Sequence, residues 1–314
     1  MSHRQLSKKQ FEGVLFGLAI GDAIASPWEG LPSDLIISSR SIPEIVQHAS
    51  GEELYYTDDT QMAIGVVEEI LDYGAIEYRR LASRFAKNYH PDRGYGPMAR
   101  RIINAIGHGE DWEALASSVF DGTGSLGNGA AMRVAPIGIY FAFDKQQIID
   151  QAVESALPTH RHEVGIDGAK LIAVGTMLAA ASAGKTIERK TFLTELLSVA
   201  ETEEFQWQLN HALTMKPSDS LAVFGNSLEA HRSVTTSIMC FLNSPDNYTA
   251  AISRAIAQGN DVDTLAAMTG AIAGARLGID AIPPNLIECL EDNVQGSSYL
   301  KVLSDKLWDS YRRN

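Results

Sequence analysis

The chain has 314 residues, enough for one large domain or two ordinary ones, and its 45% hydrophobic and 21% charged content describes a globular core rather than disorder. With 26 Lys+Arg against 39 Asp+Glu, a net charge of −13 excludes a general role along nucleic-acid backbones, although small anionic ligands stay open. Two cysteines, Cys240 and Cys289, exclude a disulfide framework and a cysteine-rich metal site, so a reducing, cytoplasmic compartment is expected.

Helical periodicity dominates from the start. Residues 11–25 carry Val14, Leu15, Leu18 and Ala19 on one stripe. Lys8 and Lys9 ahead of VLFGLAI loosely resemble a signal peptide, but Glu12, Asp22 and the short apolar run favour a buried first helix. After 57–60, Met62, Val66, Val67, Ile70 and Leu71 form an apolar face opposite Glu68, Glu69 and Asp72, and Gly74 ends that helix. Further helices are predicted at 78–89, 97–107, 111–118, 145–156, 163–183, 191–199, 220–230, 233–243, 247–258, 263–277 and 297–311. VAPIGIYF, 134–141, is either a strand or another buried helix. Glycine and proline clusters near 91–97, 121–130, 157–165 and 282–284 are expected to be loops. AVGTMLAAASAG and AAMTGAIAGA, 173–184 and 266–275, are rich in small residues that let helices approach closely, which places them centrally. The longest strongly apolar run, 171–184, falls short of the roughly 20 residues of a bilayer span. The expectation is a single compact all-α domain over 1–314, with no membrane segment and no nucleic-acid partner.

YYTDDTQMA, 55–63, sets Asp58 and Asp59 side by side between Thr57 and Thr60. Alone, it is a helix cap with acidic residues where the helix dipole favours them. A counterpart appears late, in QGNDVDTLAAM, where Asp261 and Asp263 stand two apart before Thr264 and an Ala-rich helix. That stretch alone is also a cap or an Asx-turn, and neither continues as an EF-hand loop. Together, four carboxylates and two threonine hydroxyls form an oxygen donor set suited to two hard divalent cations, Mg²⁺ or Mn²⁺. Without cations, burial of four unpaired carboxylates would be costly.

GDAIASPWEG adds Asp22 near the end of the first helix and Glu29 in a loop beside Trp28 and Gly30. Asp22 is expected to be structural, accepting backbone hydrogen bonds. Glu29 is the better acid–base group, with an exposed loop glutamate as the alternative. FDGTGSLGNGAAMRVAP, 120–136, is neither a dinucleotide fingerprint nor a Walker loop. Its Gly122, Gly124, Gly127 and Gly129 would let backbone amides approach a diphosphate, with Ser125 and Asn128 adding hydrogen bonds. The helix-like run that follows favours anion binding, against an ordinary flexible loop. In PDRGYG, 91–96, Arg93 binds phosphate or forms a surface ion pair. LPTHRHEVG, 157–165, is no zinc motif; a ligand hydrogen bond from His160 is preferred over helix capping by Thr159. No serine or cysteine nucleophile signature is present.

In this order, the pieces resemble the ADP-ribosylglycohydrolase family, whose fold is an all-α domain around two magnesium or manganese ions. The resemblance runs over nearly the whole chain, from GLAIGDAIASPWE through YYTDDT, PDRGYG, GSLGNGAAMRVAP and LPTH to GNDVDT. YYTDDT, PDRGYG and GSLGNGAAMRVA look most similar to the branch acting on ADP-ribosylserine, poly(ADP-ribose) and O-acetyl-ADP-ribose. The resemblance implies Thr57, Asp58, Asp59, Asp261, Asp263 and Thr264 as ligands of two Mg²⁺ (or Mn²⁺), with Glu29, Asp58, Asp59 and Asp263 in catalysis. It implies ADP-ribose contacts at Gly94, Gly96, Phe120, Gly124, Ser125, Leu126, Gly127, Asn128 and His160. Leu126 departs from the branch, which has an aromatic residue there to help sandwich adenine, and leaves Phe120 to stack on one face. The implied reaction is metal-dependent hydrolysis at the anomeric ribose carbon, releasing ADP-ribose from a small molecule or an ADP-ribosylated protein. Three alternatives stand beside it: ADP-ribosylarginine hydrolysis of the dinitrogenase-reductase-activating type, another metal-dependent nucleotide hydrolase, and a non-catalytic crystallin-like relative.

Overall fold

Gly13, Gly17 and Gly21 recur every fourth residue along the first helix, α1 (Lys8–Ala25), and share one stripe. A Cβ at each would sit 2.3 Å from the carbonyl oxygens of Gly274, Gly270 and Ala266 respectively. Those carbonyls belong to the late helix Val262–Leu277, so the two helices run antiparallel in backbone contact. No side chain larger than hydrogen fits the seam. Tyr248 donates from its hydroxyl to the Gly17 carbonyl at 2.9 Å, and Gln10 bridges Ala180 and Ala275 carbonyls at 3.0 and 2.8 Å.

The computed structural model describes residues 6–39, 53–217 and 219–313. Among them are seventeen α-helices and no strand; three isolated bridges, including Pro32 with Gly259 and Gly127 with Glu229, are the only β pairing. After α1 come α2 (Ser33–Ser39), α3 (Asp58–Tyr73), α4 (Tyr78–Asn88), α5 (Pro97–His108) and α6 (Trp112–Gly122). The middle holds α7 (Gly129–Met132), α8 (Ala135–Tyr140), α9 (Lys145–Ala156), α10 (Glu163–Ala181), α11 (Arg189–Leu197) and α12 (Glu203–Thr214). The chain closes with α13 (Ala230–Leu242), α14 (Tyr248–Ile256), α15 (Val262–Leu277), α16 (Pro284–Cys289) and α17 (Ser297–Tyr311).

One hydrophobic cluster joins these helices into a single all-α domain. The two small-residue helices are central as expected. Every residue of α15 from Val262 to Arg276 is buried, and a Cβ on Gly138 of α8 would meet the Ala173 carbonyl of α10 at 2.1 Å. Helix α10 is long and apolar enough to cross a membrane by composition, but 78% of that window is buried inside the domain.

Gly74 ends α3 as expected, at φ 73° with its N–H on the Ile70 carbonyl at 2.8 Å. The ambiguous 134–141 segment is helical at α8. Residues 220–230 depart from the prediction. A 3₁₀ turn, Leu221–Val223, is followed by Gly225 at φ 78°, which no continuing helix accepts. Helix α12 was not anticipated by the apolar pattern.

Candidate functional site

The antiparallel α1–α15 seam brings the end of one helix to the start of the other, and Asp22 therefore meets Asp263. Carboxylate oxygens of Asp22, Asp59 and Asp263 all lie within 4.8 Å of one another, and the same holds for Glu29, Asp261 and Asp263. Asp263 belongs to both triples. The two sequence halves, TDDT on α3 and NDVDT on α15, are thus one site.

Each half is positioned by local chemistry. Thr57 caps α3, its hydroxyl accepting from the Asp59 N–H at 3.4 Å. Asp22 accepts from the Thr57 N–H at 3.1 and 3.0 Å and from the Thr60 N–H and hydroxyl at 3.2 and 2.6 Å. The structural role expected of Asp22 is present, and the same carboxylate also completes the acidic cluster. Asp261 precedes α15 but makes no side-chain cap. Its carboxylate instead accepts from Asn128 Nδ2 at 2.5 Å, while Asn226 Nδ2 holds the Gly259 and Asp261 carbonyls at 2.7 and 2.9 Å. Thr264 donates from its hydroxyl to Asp59 at 3.4 Å and from its N–H to Asp263 at 2.9 Å.

The electrostatics are those of crowded like charges. Burial, then the charge of Asp22, pushes the Asp58 carboxyl up to about 8 from 3.8. Burial, then Asp261, pushes Asp263 up to about 9, and burial raises Asp22 to about 6 against the opposing pull of its threonine hydrogen bonds. Asp59 is also raised, by burial and by Asp22, and its Oδ2 is buried with no hydrogen-bond partner among the described residues. An orphaned buried carboxylate oxygen inside an all-oxygen donor set fits a hard divalent cation. Asp22, Asp59, Asp261 and Asp263 would hold such ions, with Thr264 and the neighbouring Asp58 adding oxygens. Glu29 differs. It follows the 3₁₀ turn Ser26–Trp28, is exposed, and reaches the cluster from a loop pinned by Gly30 N–H to the Asn260 carbonyl at 2.8 Å.

The glycine-rich loop is stitched to its surroundings rather than loose. Asn128 N–H donates to Leu228 O at 2.9 Å, Ala230 N–H to Leu126 O at 3.0 Å, and Gly127 N–H to Ser125 Oγ at 3.2 Å. Gly124 adopts φ 80°, and a Cβ there would meet Arg161 at 2.8 Å. The helix behind the loop, α7, has only four residues. Its dipole is too short to supply the anion site that the sequence suggested. Phe120 and Asp121 hold φ 51° and 59° where α6 loses helical geometry, and the Phe120 ring is 57% exposed. A bulky residue held in the left-handed region marks stored backbone strain.

His160 lies under this loop. A Cβ on Gly127 or Gly129 would come within 3.2 or 3.1 Å of its Nε2, so the two glycines are the space the ring occupies. Burial and the charge of Arg133 lower its pKa to about 3, and the imidazole is neutral. Thr159 does not cap α10; His162 does, accepting from the Val164 N–H at 3.1 Å. Gly94, at φ 79°, sets the PDRGYG turn against Thr57, with a Cβ there lying 3.8 Å from Thr57 Cβ. Gly96 precedes α5 and a Cβ there would meet open space. Arg93 forms neither a phosphate site nor a surface pair. It is 13% exposed against 1% for Glu291, its buried ion partner, and its guanidinium lies 3.8 Å over the Tyr56 ring. Glu291 also accepts from the Tyr56 N–H at 3.1 Å, so this pair fixes the approach to TDDT.

Fold and site together define a helical hydrolase-type centre built on clustered carboxylates. The sequence pattern of the ADP-ribosylglycohydrolase family matches residues 3–314, and the chain belongs to that family of glycohydrolases. The ADP-ribosylhydrolase ARH3 of Danio rerio is 30% identical over 344 residues, covering 96% of this chain and 90% of its own. The ADP-ribosylarginine hydrolase Tri1 of Pseudomonas putida is 25% identical, covering 95% and 77%. A solved ADP-ribosylglycohydrolase-related protein complex shares the fold, with a TM-score of 0.73, 20% identity, and coverage of 96% and 98%.

Proposed function

We propose that the chain hydrolyses the bond at the anomeric ribose carbon of serine-linked ADP-ribose, and of poly(ADP-ribose) or O-acetyl-ADP-ribose, releasing intact ADP-ribose. One observation carries the reading. Asn128 of the glycine-rich loop grips Asp261 of the acidic cluster at 2.5 Å, so the candidate ligand loop and the clustered carboxylates are joined directly into one site. Two divalent cations, Mg²⁺ or Mn²⁺, would be held by Asp22, Asp59, Asp261 and Asp263 with Thr57, Asp58 and Thr264. When bound, they supply a grip on ribose hydroxyls and a lowered pKa for the attacking water.

The chain's own residues do the rest. Positive charge develops on the ribose in an oxocarbenium-like transition state, and the acidic wall of the site stabilises it. Glu29 is the exposed carboxylate of the cluster and sits on a loop, which suits it to protonate the leaving oxygen. The glycine loop sets Gly127 and the Ser125 hydroxyl beside the neutral ring of His160. Phe120, already exposed, is offered to the adenine face that Leu126 leaves without an aromatic partner. The cytoplasm suits a chain whose Cys240 is buried and unpaired.

The likeness to ARH3 and the YYTDDT and GSLGNG motifs support the serine branch; the Tri1 likeness keeps arginine-linked ADP-ribose as the second reading. The test is a panel of ADP-ribosylserine peptide, ADP-ribosylarginine, poly(ADP-ribose) and O-acetyl-ADP-ribose, each with Mg²⁺, Mn²⁺ or EDTA. Intact ADP-ribose from the serine peptide, lost with EDTA, is expected. Release of AMP would mean cleavage at phosphorus and would overturn the reading, as would wild-type turnover by both Asp58→Asn and Asp263→Asn.

A further inference from the structure

Arg133 is fully buried, yet it has no carboxylate partner among the described residues. Its Nη1 donates to the Gly129 carbonyl at 3.1 Å and to Thr159 Oγ1 at 3.0 Å. Its Nη2 donates to the Ser155 carbonyl at 2.5 Å, and the guanidinium lies 4.7 Å over the Phe85 ring. A guanidinium only donates, so Thr159 must accept from it. Thr159 is buried, and its hydroxyl has one further partner, His160 Nδ1, at 2.7 Å.

A hydroxyl carries one proton. If His160 Nδ1 donated to Thr159, the threonine oxygen would accept twice and its own proton would be buried without an acceptor, at the cost of a lost hydrogen bond. The arrangement that leaves the Thr159 hydroxyl proton with an acceptor runs one way: Arg133 to Thr159, Thr159 to His160 Nδ1. The remaining imidazole proton then sits on Nε2, the nitrogen beside Gly127 and Gly129. No described side chain or backbone group bonds to that Nε2.

We propose that Arg133 and Thr159 are positioning residues that lock His160 as its Nε2–H tautomer, making it a donor to an acceptor oxygen, phosphoryl or ribosyl, of the ligand in the glycine loop. The ligand half rests on the function proposed above; the tautomer half does not. The relay also explains why the loop ends where it does. Arg133 holds the Gly129 carbonyl with the same Nη1 that sets Thr159, so loop and ring are registered by one side chain.

The experiment is two-bond proton–nitrogen correlation of the imidazole rings in ¹⁵N-labelled protein, without ligand. The expected spectrum shows His160 protonated at Nε2 with Nδ1 a hydrogen-bonded acceptor, in wild type and Thr159→Ser alike. In Thr159→Val, the Nδ1 resonance moves to that of an unbonded acceptor, or an Nδ1–H population appears. A wild-type Nδ1–H tautomer overturns the lock, as does a Thr159→Val spectrum identical to wild type. Should Thr159→Val fail to fold, the wild-type tautomer alone decides. Steady-state kinetics on ADP-ribosylserine peptide test the ligand half: Thr159→Val should raise KM by ~10-fold with kcat little changed, and Thr159→Ser should recover it. An unchanged KM in Thr159→Val overturns the ligand half. An inactive wild type would count against the proposed function while leaving the tautomer result intact.

Discussion

Two buried charged regions flank the glycine-rich loop, and they are built on opposite plans. On one side, Asp22, Asp59, Asp261 and Asp263 crowd together with a carboxylate oxygen left without a partner. On the other, the Arg133 guanidinium spends its terminal donors on neutral carbonyls and a hydroxyl, with an aromatic ring beneath it. The cationic region is nearly complete within the fold; the acidic region is complete only with added positive charge. A buried charge satisfied by neutral dipoles serves shape, whereas buried charges that repel one another are poised for a ligand.

The strongest way to break this comparison is to remove a carboxylate common to both triples. Asp263→Asn should lower kcat/KM by at least ~10³-fold and abolish the rise in Tm on adding Mg²⁺, read by steady-state kinetics and calorimetry. On the other side, Arg133→Met should cost about 3 kcal/mol in urea unfolding, because the Gly129 and Ser155 carbonyls lose their donors. That loss should be the same with EDTA or Mg²⁺; a loss seen only with Mg²⁺ would merge the two regions into one.

Acidity separates them further. Asp58 and Asp263 keep their protons to about 8 and about 9, against 3.8 in an ordinary chain. The cation-free native state therefore binds more protons than the unfolded chain between about pH 4 and pH 9, and stability must fall as pH rises through that window. In EDTA, Tm should drop by roughly 3 °C or more from pH 5.5 to pH 8.5, and Mg²⁺ should cancel the drop. A cation-free Tm that climbs over this range would show that the carboxylates are already ionised and compensated. The smallest effect is expected at Gly94→Ala. Its φ of 79° costs a side chain about 1 kcal/mol, and the added methyl would meet Thr57 only at ordinary van der Waals contact, 3.8 Å, leaving the carboxylates in place.

Helix positions were legible because apolar periodicity is a local property, and α3, α9 and α17 follow it closely, whereas α15 showed itself by its run of small residues. The two acidic helix entries were legible for the same reason, each being a short stretch of unusual composition. Asp22 was not identified as a site residue: a single carboxylate inside an apolar helix reveals its partners only through the crossing that supplies them. That crossing left its own trace in the fourfold spacing of Gly13, Gly17 and Gly21, matched by Gly270 and Gly274. Glu291 lies 198 residues from Arg93, and no local pattern announces so distant a buried pair. The Arg133–Thr159–His160 relay was written across two separate motifs, GAAMRVA and LPTH, and only packing joins them. The stretch at 220–230 misled because its apolar residues at 221–224 mimic a helix that Gly225 and Asn226 interrupt.

The glycine seam between α1 and α15 has a mechanical side. Backbone lies against backbone there, with no side chains to repack when one helix slides. Asp22 and Asp263 meet at the very end of that seam, and a cation held between their ionised carboxylates would pull it shut. The metal would then act as a rivet for the two central helices, and the rise in Tm with increasing Mg²⁺ would report how much of their stability the ion supplies.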